Sequence, residues 1–455
     1  MDLQGKKILV FGTGISGIAA AELLTDAGAK PVLFDGNDTL KEEDIRAKLR
    51  EGADVEIVIG SLPDEKAKEL DMVVLSPGVP TDIPLVNKLR DMGLTIWGEV
   101  ELAYENSRGD VLAITGTNGK TTTTSLLGAI MQQAYSSVFV VGNIGIPYTQ
   151  VVRETKDDSV TVAEISSFQL ETIERFRPKV SAILNITPDH LNRHHTMEEY
   201  IRVKELITAN QEPEDTCVLN YEDEILRSFG ESLSCNVIFF SSLRTLEQGI
   251  YLNGDMIEYK DPEKCIQICS TKELNLPGRH NHENVMAAAA MALAYGVPVE
   301  DIRIVLKKFT AVEHRIEYVT EVNGVVYYND SKGTNPDAAI KGIQAMDRPT
   351  LLIGGGYDKD SVYDEWINAF GGKVRYLVLI GQTKEKIART ARECGFHDIV
   401  MADSLEEAVD FCAKNAKSGD AVLLSPACAS WGMFPNYEVR GKIFKELVNN
   451  LKNRE

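Results

Sequence analysis

Residues 6–24 read KKILVFGTGISGIAAAELL, and the next apolar run, PVLF, ends on Asp35. A strand-like stretch leads into Gly12, Gly14 and Gly17, and an alanine-rich helical stretch follows. This is the layout of a dinucleotide-binding βαβ unit. The glycines allow a tight turn and close backbone approach to a pyrophosphate. The helix N-terminus attracts negative charge, and the acidic residue accepts from a ribose hydroxyl. The stretch predicts a parallel α/β sheet and a diphosphate ligand. By itself it leaves open whether a nicotinamide, a flavin or another molecule carries that diphosphate.

The same grammar extends along the chain. KPVLFD, VEIVIG, MVVLSPG and LTIWGE continue the first region, which fits one Rossmann-like domain over residues 1–97. A second region opens with VLAITG and continues through VFVVGNIG, SVTVAEISS and VSAILNIT to the helical NHENVMAAAAMALAYGV, over residues 98–311. A third, residues 312–455, carries EHRIEYV, VVYYNDSKGTNP, PTLLIGGGYDKD, RYLVLIG and DAVLLSPACASWG. Each is an apolar strand running into a polar or glycine-rich loop, the place where ligands sit in doubly wound sheets. The 455 residues, at roughly 150 per domain, agree with three α/β domains.

Composition narrows the function classes. The chain is 44% hydrophobic and 25% charged, as in globular proteins, and carries a net charge of −20 from 48 basic and 68 acidic residues. No basic block offsets that charge, so nucleic acid is not an expected partner. No apolar stretch approaches a membrane span, and the start lacks the apolar region and cleavage site of a secretion signal. Seven scattered cysteines without paired CxxC spacing read as reduced, buried thiols in a cytoplasmic enzyme.

A second glycine loop carries the sharper signal. LAITGTNGKTTTT, residues 112–124, places a buried strand before Gly116, Thr117, Asn118 and Gly119, then Lys120, Thr121 and Thr122 at a helix start. Loop N–H groups and the helix N-terminus cradle phosphates, the lysine reaches the β- and γ-phosphates, and a threonine hydroxyl ligates Mg²⁺. The loop is shorter than the usual G-x-x-x-x-G-K-[ST], whose first glycine position holds Ile114. An ATP site is expected. Glu164, at the end of TVAE, stands where a metal ligand is needed, although a strand-end glutamate is as often a solvent residue. His190 after LNITPD would ordinarily be a loop histidine. Lys204 in EEYIRVKELI would ordinarily belong to a solvated helix face.

Taken together, GTNGKTTTT, AEISSFQLE, NITPDHLNRH and YIRVK resemble the ATPase-domain motifs of the Mur ligases and folylpolyglutamate synthases, which form amide bonds with ATP. EHRIE (313–317), YYNDSKGTNPDA (327–338), GGGYDKD (354–360) and LLSPACASWGMFPNYEVRG (423–441) narrow the resemblance to the Mur ligases that add D-glutamate to UDP-N-acetylmuramoyl-L-alanine in peptidoglycan precursor synthesis. The resemblance spans all three regions in order.

It implies an acyl-phosphate route, with Lys120 and the loop amides on the phosphates. Thr121, Glu164 and His190 would hold Mg²⁺ at two sites, and Lys204 would be carbamylated to bridge to the second metal. It implies adenine contacts from Asn281 and Asn284, ATP contacts from Arg315 and Asp330, and a phosphate or conformational role for Lys332. D-glutamate would meet Thr334, Lys359, Ser430, Trp431 and Tyr437. The amino-terminal loop would hold a UDP-sugar through Gly14, Ile15, Ser16 and Gly17, with Asp35, Gly78, Asn143 and Ser166 on the uridine and sugar side. Closure of the third domain over the second, and a monomer, are further expectations of the resemblance.

Three competing readings make distinct demands. A nicotinamide or flavin oxidoreductase rests on the amino-terminal loop alone and leaves the second glycine loop and SPACASWGMF without a role. A non-catalytic nucleotide-binding module needs Lys120 and Glu164 but no substrate pocket. A sibling ligase would add L-alanine, a diamino acid, a dipeptide or a folate glutamate. The folate enzyme does not need residues 1–97, and the diamino-acid enzyme carries a DNPR segment absent here.

Overall fold

Apolar, β-branched runs bounded by glycine, proline or aspartate form the central strands of three sheets. The computed structural model describes residues 2–143, 146–276, 278–310, 313–346 and 348–452. The first sheet contains β1 (Lys7–Phe11), β2 (Lys30–Asp35), β3 (Glu56–Ile59), β4 (Met72–Leu75) and β5 (Thr95–Gly98). Its order is β3-β2-β1-β4-β5, parallel throughout. Since β1 lies between β2 and β4, the order reverses there, and the Gly12–Gly17 loop leaves β1 at that switch point.

The second sheet holds β6 (Asp110–Thr115), β7 (Val138–Gly142), β8 (Val160–Glu164), β9 (Val180–Ile183), β10 (Thr216–Asn220), β11 (Asn236–Ser241), β12 (Gly249–Asn253), β13 (Met256–Lys260) and β14 (Cys265–Ser270). Its order is β14-β13-β12-β11-β10-β9-β6-β8-β7, and only the β12–β13 and β13–β14 pairs are antiparallel. With β6 between β9 and β8, three loops converge at one edge: 116–119, the end of β8 at Glu164, and the stretch after β9 that leads to His190.

The third sheet holds β15 (Glu317–Val322), β16 (Val325–Asn329), β17 (Thr350–Gly354), β18 (Val374–Leu379), β19 (Ile399–Met401) and β20 (Ala421–Leu424), in the order β15-β16-β20-β17-β18-β19. Only β15–β16 is antiparallel. Here β20 lies between β16 and β17, so the loops at 330–335, 355–360 and 425–436 become neighbours.

The chain forms two compact units. One runs to Lys272 and takes in Asn284–Leu306; the other comprises Glu273–Glu283 and the chain from Lys307 onward. The first two sheets share the first unit for a visible reason. Ile8, Val10 and Val74 on one face of the first sheet belong to an apolar cluster that continues through Trp97, Val100, Ala113 and Tyr148. A polar seam accompanies it. Buried Glu101 accepts the N–H groups of Glu174, Arg175 and Phe176 at 2.9, 2.7 and 3.1 Å, and Trp97 Nε1 donates to Glu174 at 2.7 Å. Residue 97 is the penultimate residue of β5, and the boundary placed at 311/312 lies outside the described residues.

No helix among the described residues is long and apolar enough to cross a membrane. All seven cysteines are free, but they are not uniformly buried: Cys265 is exposed and Cys394 half-buried. Cys265 opens β14, at the edge of its sheet, where one side of the strand has no neighbour to cover it.

Candidate active site

The 116–119 loop is shaped by its glycines. Gly119 has φ +88°, and a Cβ there would overlap Asn284 Oδ1. The loop's Thr117 N–H and Asn118 N–H donate to the Asn185 carbonyl and Asn185 Oδ1 at 2.9 and 2.8 Å. The Thr117 hydroxyl donates to the Thr187 carbonyl at 3.0 Å. These contacts tie the loop after β6 to the one after β9. The helix Lys120–Ala134 starts directly from Gly119, with Thr121 and Thr122 buried in its first turn.

Two lysines meet one carbonyl. Lys120 Nζ donates to Gly116 O at 2.8 Å and Thr117 O at 2.9 Å, and Lys204 Nζ donates to Gly116 O at 2.9 Å. Lys204 lies on the helix Met197–Glu205 and is buried, not on a solvated face, with its ammonium 4.7 Å from the Tyr200 ring centre. Burial, then repulsion from Lys120, pushes its pKa well below the usual lysine value, and Asp189 opposes the shift. A neutral amine is therefore accessible here.

Glu164 is 1% exposed. Its Oε1 accepts from Asn143 Nδ2 at 2.8 Å, and Oε2 is buried with no hydrogen-bond partner. A buried carboxylate oxygen without a donor is costly, by roughly 1–3 kcal/mol or more. A buried carboxylate oxygen left free in this way fits an oxygen-seeking cation. His190 has a left-handed backbone, φ +53°, stacks edge-on against Phe168 at 4.8 Å and lies 3.5 Å from Asp189 Oδ2. Asn143 thus stands at the end of β7 holding Glu164, and Ser166 caps the short Ser167–Leu170 helix in a reciprocal pair with Gln169.

At the first sheet's switch point, Gly14 and Ile15 are exposed and Gly17 is buried. A Cβ on Gly17 would overlap the Gly12 carbonyl oxygen, which is why the helix Ile15–Asp26 can begin so close to β1. Asp35 accepts from Thr13 N and Thr13 Oγ1 at 3.2 and 2.8 Å. Gly78 is exposed, and a Cβ there would meet nothing within 4 Å. Sequence reasoning passed over Ser76, whose buried hydroxyl has no partner and lies where a Cβ of Gly12 or Gly17 would point. The SPG turn after β4 was the available signal.

The second unit collects the remaining candidates except Asn284. Asp330 is fully buried. It accepts from Ser425 Oγ at 2.7 Å and Ile316 N at 3.3 Å, and Arg315 Nη1 is 3.8 Å away. Burial raises its pKa to about 6, against the pull of Arg315. Lys332 lies 5.3 Å from the Tyr437 ring centre, and Lys359 lies 5.6 Å from that of Trp431. Trp431 is 54% exposed and meets Tyr357 edge-on, while Ser430 is buried and Thr334 half-buried. Asn281, near the start of the helix Arg279–Ala294, is buried; Asn284, in the first unit, is the residue that excludes a side chain at position 119. His280 is held neutral, at a pKa of about 3, by burial first and by Arg315 and Lys341 next.

The comparisons with known proteins agree along the whole chain. Residues 6–98 match the Mur ligase MurD-like N-terminal domain, 114–292 the Mur ligase middle domain, and 314–428 the Mur ligase glutamate ligase domain. The UDP-N-acetylmuramoylalanine–D-glutamate ligase of Lachnoclostridium phytofermentans is 60% identical over 452 residues, covering 99% of this chain and all of that protein. The ligase of the same name from Clostridioides difficile is 49% identical at the same coverage. Among solved structures, the UDP-N-acetylmuramate–alanine ligase of Thermotoga maritima superposes with a TM-score of 0.61 at 18% identity, covering 99% of this chain and all of that one. MurF from Acinetobacter baumannii superposes with a TM-score of 0.62 at 17% identity, covering 97% and 93%.

Proposed function

The chain belongs to the Mur ligase family, and from that premise we propose that it joins D-glutamate to UDP-N-acetylmuramoyl-L-alanine, with ATP converted to ADP and phosphate. The observation that carries the chemistry is the pair of lysines on the Gly116 carbonyl in the same loop cluster as the half-partnered carboxylate of Glu164. Lys120 is the cation that suits a polyphosphate, and Lys204, whose charged form burial disfavours, is the amine open to carbamylation.

A carboxylate is a poor acyl donor. Its oxygen attacks the γ-phosphorus of ATP, ADP leaves, and an acyl phosphate forms. The amine of D-glutamate then attacks the acyl carbon, and the tetrahedral adduct collapses with loss of phosphate. Both partners in the first step are anions, so positioning and charge neutralisation dominate. Gly116, Thr117, Asn118, Gly119, Lys120, Thr121 and Thr122 form the phosphate cradle. Thr121, Glu164, His190 and a carbamylated Lys204 would hold Mg²⁺ at two sites, where it supplies charge neutralisation.

Asn281 and Asn284 take the adenine, Arg315 and Asp330 are further ATP contacts, and Lys332 has a phosphate or conformational role. Lys359, Thr334, Ser430, Trp431 and Tyr437 take the amino acid, where a cation and hydroxyls suit a dicarboxylate. Gly14, Ile15, Ser16, Gly17, Asp35, Gly78, Asn143 and Ser166 serve the UDP-sugar. The corresponding domains are residues 1–97, 98–311 and 312–455. The reading places the enzyme in the cytoplasm, where ATP and UDP-linked sugars are made. It acts there as a monomer, and its charge of −20 disfavours nucleic acid.

Substrate labelled with ¹⁸O in its carboxylate tests the route. The acyl phosphate delivers one labelled oxygen into the released phosphate. Label found in AMP, or absent from phosphate, contradicts it.

A further inference from the structure

Arg440 occupies the first turn of the helix Tyr437–Leu451 and is 1% exposed. Its Nε donates to Ser331 Oγ at 2.9 Å, its Nη2 to the Ser331 carbonyl at 2.7 Å, and its Nη1 to the Cys428 carbonyl at 3.2 Å. Ser331 Oγ in turn donates to the Tyr437 carbonyl at 2.8 Å. The guanidinium thus grips two loops at once. Ser331 lies between Asp330 and Lys332, and Cys428 lies two residues before Ser430.

Three hydrogen bonds to a hydroxyl and two carbonyls, with no carboxylate among those partners, make this an unusual way to bury a charge. Burial lowers the pKa of Arg440 to about 10, and Asp330 opposes part of that shift. An apolar side chain of similar volume would commonly be as stable at such a position. What an apolar residue cannot do is hold two backbone segments at a set spacing, which the planar fork of arginine does.

The packing behind it is equally specific. A Cβ on Gly441 would overlap His314 Nδ1, and Asn329 Nδ2 donates to that same nitrogen at 2.8 Å. The helix start is therefore fixed against the segment that precedes Arg315 and the strand that precedes Asp330.

We propose that Arg440 is a positioning residue that sets the spacing between the nucleotide-side segment at 330–332 and the amino-acid-side loop at 427–431. It touches neither substrate. It acts through Ser331 on Asp330 and Lys332, and through Cys428 on Ser430 and Trp431. This rests on the ligand assignments of those two loops made above.

The test is steady-state kinetics of Arg440→Lys and Arg440→Met, with thermal unfolding alongside and Lys359→Ala as a control on the amino-acid reading. Lysine keeps the charge but cannot reach all three acceptors; methionine keeps bulk without charge. The proposal predicts that KM for ATP and KM for D-glutamate rise together, each by tenfold or more, in whichever variant folds. A merely structural residue would lower kcat by loss of active protein and leave both KM values in place; that result overturns the proposal, as does failure of both variants to fold. A rise in one KM alone also overturns it. If Lys359→Ala leaves the D-glutamate KM unchanged, the amino-acid reading of this unit fails instead. If Lys359→Ala raises it and the Arg440 variants do not, the inference fails alone.

Discussion

Lys204 and Lys120 donate to the same carbonyl, and two ammonium groups so placed repel each other in a buried setting. Proton loss from Lys204 relieves that repulsion and leaves an amine able to take up CO₂. A carbamate would then present an anion where the free lysine presents a cation. Lys204→Ala should lower turnover by roughly 10³-fold or more, and short carboxylic acids should restore part of it. Undiminished activity in that variant contradicts the role. Asp330 offers a different reading at the same scale. Its carboxyl is raised from 3.8 to about 6, so the folded state holds its proton more tightly than the unfolded chain does. The resulting stabilisation, about 3 kcal/mol at 1.36 kcal/mol per pKa unit, is complete below about pH 4 and is lost as pH rises through about 6. Urea unfolding between pH 4 and pH 7 should show that decline in the native chain, and Asp330→Asn should flatten it.

The helix Lys120–Ala134 illustrates what an element needs from a single glycine. Gly119 combines a left-handed backbone with contact to Asn284, so Gly119→Ala carries about 1–2 kcal/mol of backbone strain and displaces Asn284 as well. The strain acts with and without ATP and should lower the melting temperature, while displacement of Asn284, an adenine contact in this reading, should raise the ATP KM and leave the D-glutamate KM in place. An unchanged ATP KM would show that Asn284 moves aside without consequence. Elements of this kind were legible in the sequence because a buried strand, a glycine turn and a helix start leave local marks; β1, β6, β8, β9, β16, β17 and β20 all follow from such runs. The strands β10 to β14 were not read from it, and their antiparallel end depends on which edge of the sheet they join. Partnerships were harder still. Lys204 looked like a surface residue because a helix pattern does not reveal which face a loop nearly ninety residues earlier will cover. The use of Asn143 to hold Glu164 and the burial of Arg440 depend on strand neighbours distant in sequence.

At the scale of the whole molecule, the first two sheets share one apolar cluster and one polar seam, so the diphosphate loop after β1 and the glycine loop after β6 belong to a single compact unit. Glu101 is the centre of that seam. Glu101→Ala leaves the buried Phe176 N–H without its acceptor and should cost about 1–3 kcal/mol, because the Glu174 and Arg175 N–H groups are only partly buried and can turn to water. Glu101→Gln, which keeps one acceptor oxygen, should lose less. A melting curve unchanged in Glu101→Ala would mean that the apolar cluster alone holds the unit. The chain as a whole is read as an amide ligase whose three sheets each carry their candidate ligand loops at the carboxyl ends of parallel strands. The most direct test is phosphate release from ATP in the presence of UDP-N-acetylmuramoyl-L-alanine and, in turn, D-glutamate, L-glutamate, L-alanine and a diamino acid. Stimulation by D-glutamate alone is the predicted result; stimulation by L-alanine or a diamino acid in its place contradicts the account.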